Sequence, residues 1–103
     1  MLKWNKNCYI GKKVRNVKQI QEKLENSRIV PGIYLLTLSE NPHNLMEILP
    51  AVSLIQRTAA DLCPEIIGIA SGREEALELV EEIVSTIYKD TGDVQLKEYL
   101  KNR

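Results

Sequence analysis

Between Ile66 and Gly92 the sequence allows little choice of structure. Ile66-Ile67-Gly68-Ile69-Ala70 is an apolar run of strand length, and Ser71-Gly72 supplies a turn. From Arg73 the residues Ala76, Leu77, Leu79, Val80, Ile83, Val84, Ile87 and Tyr88 recur at the three- and four-residue spacing of a helix. At about 100° per residue they cover roughly half of its circumference. Glu74, Glu75, Glu78, Glu81, Glu82, Ser85 and Lys89 fill the other half. Ser71, with Glu74 three residues on, is spaced as a capping box. Glu74 and Glu75 at the start and Lys89 near the end suit the helix dipole. Asp90-Thr91-Gly92 ends the helix, because a glycine there takes the left-handed conformation readily. The segment is predicted to be strand, tight turn and amphipathic helix, with the apolar half of the helix laid on a sheet.

The remainder is predicted to repeat that unit. Cys8-Tyr9-Ile10, ended by Gly11 and flanked by charge, has the character of a short edge strand. Val14, Val17, Ile20 and Leu24 mark a narrow-striped helix over 14–26, with Asn16 near its start. Pro31-Gly32 is a turn, and Ile33-Tyr34-Leu35-Leu36-Thr37-Leu38 is apolar almost without alternation, as in a parallel strand covered on both faces. Asn41 and Pro42 then read as the cap and first residue of a second helix reaching Leu62. Leu45, Ile48, Leu49, Val52, Ile55, Ala59 and Leu62 would form its apolar side, with a kink at Pro50 and an end at Cys63-Pro64. The expected fold is α/β: a three-layer sandwich with a short, mainly parallel sheet, in the order β-α-β-α-β-α. A short C-terminal segment, Val94 to Leu100, would follow as helix or strand.

A chain of 103 residues is expected to form a single domain spanning 1–103. Its longest apolar runs are about six residues, against the roughly 20 a membrane helix requires. Met1 to Lys6 lacks the apolar core of a signal peptide, so a cytoplasmic location is expected. Two separated cysteines, Cys8 and Cys63, and a single histidine form no compact ligand set, so neither a metal nor a cofactor is expected. The net charge of zero hides an asymmetry. Residues 1–28 hold eight basic side chains against two acidic ones, a net of +6, which leaves the other 75 at −6. The two regions can neutralise one another across the fold, attract an anionic partner, or join unlike ends of neighbouring copies. Nucleic acid is the weakest of these partners, because the five aromatic residues are not interleaved with the basic run to form a stacking platform.

In an open parallel sheet the ligand crevice lies outside the carboxyl ends of the strands. Three loops would meet there: Gly11-Lys12-Lys13, Ser39-Glu40-Asn41-Pro42-His43-Asn44, and Ser71-Gly72-Arg73. The candidate ligand-binding residues are therefore Lys12, Lys13, Ser39, Glu40, Asn41, His43, Ser71, Gly72 and Arg73. Their ammonium, guanidinium, hydroxyl and amide groups, with a helix N-terminus, suit a small anion such as phosphate or carboxylate. Each group taken singly has a plainer role. Ser71-Gly72-Arg73 lacks the glycine-rich length of a phosphate loop and reads as a capped turn, and Lys12-Lys13 reads as a solvated strand end. His43 has no nucleophile or metal partner at a recognisable spacing. Cys8 and Cys63 behave as small buried apolar groups.

Gly11, the strand leading into Ser39-Glu40-Asn41-Pro42, Ile67-Gly68-Ile69-Ala70-Ser71-Gly72 with Glu75-Ala76-Leu77-Glu78-Leu79-Val80, and Thr91-Gly92 before Tyr99-Leu100 give the chain a recognisable outline. It resembles a small family of uncharacterised α/β proteins of about this length from Gram-positive bacteria. The resemblance implies a fold and brings no activity, cofactor or site. The function expected from the residues is a small non-enzymatic cytoplasmic module that binds a protein partner, its own copy, or a small anion at the strand ends. The alternative is a small enzyme or enzyme remnant using Glu40, His43 and Ser71.

Overall fold

The computed structural model describes residues 2–39, 46–54 and 61–92. In chain order they form β1 (Trp4–Ile10), α1 (Val17–Glu25), β2 (Ile33–Leu38), β3 (Met46–Pro50), a 3-10 turn (Ala51–Leu54), β4 (Ile66–Ser71) and α2 (Arg73–Thr91). The four strands make one sheet in the order β1-β4-β2-β3. β1 runs parallel to β4, whereas β2 is antiparallel to both β4 and β3. The expectation of a mainly parallel sheet in a β-α-β-α-β-α sandwich is therefore overturned. One strand pair of three is parallel, and two α-helices lie wholly within the described residues, with Asp61 and Leu62 also helical.

Two physical points explain the difference. β2 is covered on both faces, as its sequence requires: Ile33 and Leu35 enter one core and Leu36 the other. Burial on both faces makes a strand apolar throughout, but it does not fix the direction of its neighbours. Second, the expected helix around Pro50 is replaced over its middle part by β3 and the 3-10 turn. A proline inside a helix costs about 3 kcal/mol. At the end of an edge strand, where no partner needs its missing N–H, the same residue costs little. Met46 to Pro50 pair with Leu38 to Tyr34, and Glu47 turns outward opposite Thr37. The expected helix cap at Asn41 and Pro42, and the C-terminal segment Val94 to Leu100, lie outside the described residues.

The two helices occupy opposite faces of the sheet. Ile20 and Leu24 of α1 pack with Leu35, Leu54, Ile66 and Ile69, while Ala76, Leu79, Ile83 and Ile87 of α2 pack with Leu36, Ile67 and Ala70. α1 ends in a Schellman arrangement: the Arg28 N–H donates to the Lys23 carbonyl at 2.8 Å and the Ser27 N–H to that of Leu24 at 3.1 Å. Edge strand β1 is heavily bulged. Trp4 and Tyr9 lie opposite Ile66 and Gly68, so Asn5 to Cys8 face the single residue Ile67. A bulge of this kind blunts an exposed edge against pairing with other chains.

A second irregularity lies in the centre of the sheet, where Leu36 and Thr37 oppose Gly68 and Ile66. Ile67 is the extra residue, and Gly68 fits because a Cβ there would lie 3.0 Å from Leu36 Cδ1 and 3.3 Å from its Cβ. Leu36 is fully buried and has little room to move. Gly68→Ala is accordingly expected to destabilise the fold by about 1 to 3 kcal/mol through overpacking. Urea titration checks this, and a neutral result would place Leu36 elsewhere.

Candidate functional site

The parallel pair β1 and β4 brings two of the three expected loops together. The Gly11 N–H donates to the Ile69 carbonyl at 2.8 Å, which sets Gly11-Lys12-Lys13 beside Ser71-Gly72-Arg73. Because β2 runs the other way, its first residue, Ile33, is opposite Ser71, and it leaves the sheet at the far end. There Ser39 is buried, and its hydroxyl donates to Glu47 Oε1 at 3.3 Å. Lys12, Lys13, Ser71, Gly72 and Arg73 thus share one end of the sheet, and Ser39 lies at the other. Glu40, Asn41 and His43 lie outside the described residues.

At the shared end the central group is Glu75, an acid that helical spacing puts on the solvent-facing half of α2. It is 8 % exposed. Its Oε1 accepts from the Ser71 N–H at 2.8 Å and its Oε2 from the Lys13 N–H at 2.9 Å. Glu75 is the third residue of α2, where the carboxylate of a capping box stands, but it accepts from Ser71, one residue before the cap residue Gly72, so that half of the box is displaced by one residue and also reaches the loop at Lys13. The other half is missing: the residue at the cap is Gly72, which has no side chain to accept from the helix. The Gly72 N–H donates to the Gly32 carbonyl at 2.7 Å. The carboxylate therefore sits at the positive end of the α2 dipole, and the preference of that end for negative charge is met from within the chain. Lys12, Lys13 and Arg73 hold exposed side chains around it. Gly11 leaves room for this carboxylate, since a Cβ at that position would collide with Glu75 Oε1.

The second feature is on the outside of α2. Of the eight apolar residues in its stripe, Ala76, Leu79, Ile83 and Ile87 are buried. Val80 and Val84 are half-buried, while Leu77 is 47 % and Tyr88 60 % exposed. Leu77, Val80, Val84 and Tyr88 succeed one another at three- and four-residue steps, which makes them one continuous ridge beside the core-facing one. Among the described residues an open groove of about 470 Å³ is lined by Val80, Val84 and Tyr88 with Glu81, Ser85 and Lys89. A helix is about 10 Å across, whereas four strands at about 4.8 Å spacing make a wider face than one helix can cover. Tyr9, Tyr34, Leu38, Met46 and Ile48 on that same face are accordingly only partly buried.

Cys8 Sγ donates to the Asn5 carbonyl at 3.1 Å and lies 3.3 Å from that of Ile66. Cys63 is buried, and desolvation pushes its thiol above the ordinary value of 9.0, with a smaller opposing pull from Lys3. The folded thiol holds its proton more tightly than the unfolded one. Its contribution to stability is thus complete below 9.0 and declines as pH climbs from there towards the folded value. Denaturant midpoints taken across that alkaline range should fall less steeply for Cys63→Ala than for the parent chain. Equal slopes would contradict the burial of the thiol. Among the described residues no group of histidine, cysteine and acidic side chains could hold a metal ion, and no helix is long and apolar enough to cross a membrane.

Comparison with protein-family models, with curated proteins and with solved structures found no match to this chain.

Proposed function

We propose that this chain is a small non-enzymatic binding module whose working surface is the outer ridge of α2. The observation that supports this most is the split of the α2 stripe: half of it packs on the sheet, while Leu77 and Tyr88 remain exposed and Val80, Val84 and Tyr88 line a groove. A continuous apolar ridge rimmed by polar groups is the usual mark of a surface kept for association. The end shared by Lys12, Lys13 and Arg73 is a poorer receptor, because an incoming anion would have to compete with the buried Glu75 carboxylate for the same backbone donors.

The occupant suited to such a ridge is another helix laid alongside α2, the way two helices commonly share one face of a sheet. The test uses an uncharged amphipathic peptide helix of leucine and glutamine added to isotope-labelled protein. Resonances of Leu77, Val80, Val84 and Tyr88 should move, and the double variant L77S/Y88S should abolish the movement while leaving the fold intact. No movement at peptide concentrations up to about 1 mM, which corresponds to roughly 4 kcal/mol of binding free energy, would refute the reading.

A further inference from the structure

The charge around that ridge says which kind of helix it takes. Projected around α2, the residue next to the ridge on its solvent side is Glu81, followed by Glu74, Ser85 and Glu78, all exposed. Lys89 lines the far end of the groove, and Arg73 lies at the start of the helix. Of the basic segment, Lys12 and Lys13 sit with Arg73 at the first turn of α2. Lys18 and Lys23 belong to α1, which packs on the opposite face of the sheet. The acid therefore faces outward with its apolar neighbours.

We infer that the partner of the α2 ridge is a protein segment that folds as a basic amphipathic helix, with leucine-like anchors along one side and lysine or arginine flanking them. This rests on the reading just proposed and adds the chemistry of the partner to it. Apolar anchors against Leu77, Val80, Val84 and Tyr88 supply the attraction, and the flanking cations meet Glu74, Glu78 and Glu81. The same border argues against the other occupants. A second copy docking α2 on α2 would bring two glutamate-rich helices together, and nucleic acids and anionic lipid surfaces would be repelled.

The experiment compares three labelled peptide helices of one length and one leucine pattern, with lysine, glutamine or glutamate as the polar residue, by fluorescence anisotropy. The lysine peptide should bind roughly tenfold more tightly than the glutamine peptide, from several modest exposed pairs acting together, and the glutamate peptide more weakly than either. The advantage should shrink as salt is raised. In the variant E74Q/E78Q/E81Q it should vanish, and Glu81→Gln alone should remove part of it. Equal affinities for the lysine and glutamine peptides, or a lysine preference that survives in the triple variant, would overturn the inference and leave the α2 surface standing. Failure of all three peptides to bind would remove both.

Discussion

Replacing Glu75 by alanine is expected to destabilise the protein by about 3 to 6 kcal/mol, since hydrogen bonds to a charged acceptor contribute about 1.5 to 3 kcal/mol each and two are lost together. For a domain of this size that is a fall in Tm of more than about 8 °C. The Ser71 and Lys13 N–H groups, at 2.8 and 2.9 Å from the carboxylate, lose their acceptor, and the loops after β1 and β4 lose their shared anchor. Glu75→Gln should fall between the two, because an amide offers one acceptor in place of two. Gly11→Ala should be costly for the same reason approached from the other side: its Cβ would collide with Glu75 Oε1, Cδ and Cγ, the three atoms nearest to it. The two substitutions are therefore strongly coupled. In the Glu75→Ala background, Gly11→Ala should cost at least about 1 kcal/mol less than it does alone. Additive effects in thermal or urea unfolding would mean that the carboxylate does not lie over Gly11.

The second large effect is expected inside α2. Ile83→Ala should cost about 2 to 5 kcal/mol, since Ile83 has no exposed surface and belongs to the buried cluster that includes Leu36, Ile67 and Ala70. Leu77→Ala, from the same apolar stripe of the same helix, should cost less than about 0.5 kcal/mol, the range of an ordinary surface substitution. Urea midpoints for the pair decide the matter. Comparable losses would show that Leu77 is packed within the fold, and the case for a free ridge would fail with it.

These two residues also show what could be read from the sequence and what could not. The strand, turn and helix from Ile66 to Gly92 were legible because the apolar spacing, the acidic first turn and the terminal glycine all point the same way. Periodicity revealed that α2 has an apolar half, but it could not tell which part of that half the sheet would use. That depends on how many strands lie beneath the helix and where it crosses them. β2 was legible to the residue, yet its direction was not, since an apolar run buried on both faces reads alike in either orientation. β3 was missed because Leu45, Ile48, Leu49 and Val52 happen to keep helical spacing, and the contrary signal was Pro50 alone.

The candidate site divides in the same manner. The neighbourhood of Lys12, Lys13, Ser71, Gly72 and Arg73 followed from the parallel pairing of β1 with β4. The role of Glu75 did not, because Glu74 and Glu75 are equivalent in sequence and only the packing of the β1 loop selects between them. Ser39 was assigned to the same rim on the assumption of a parallel β2, and the reversal of that strand carries it to the opposite end of the sheet.

Strand direction is thus the point on which both the shared loop end and the open flank of α2 depend, and nuclear Overhauser contacts between Hα protons read it directly. In antiparallel neighbours, alternate residue pairs bring their Cα atoms to about 4.5 Å and their Hα protons into close contact. Such contacts are expected within the series Tyr34 with Ala70, Leu35 with Ile69 and Leu36 with Gly68, and not between β1 and β4. Their absence across β2 and β4, or their appearance between β1 and β4, would contradict the arrangement described.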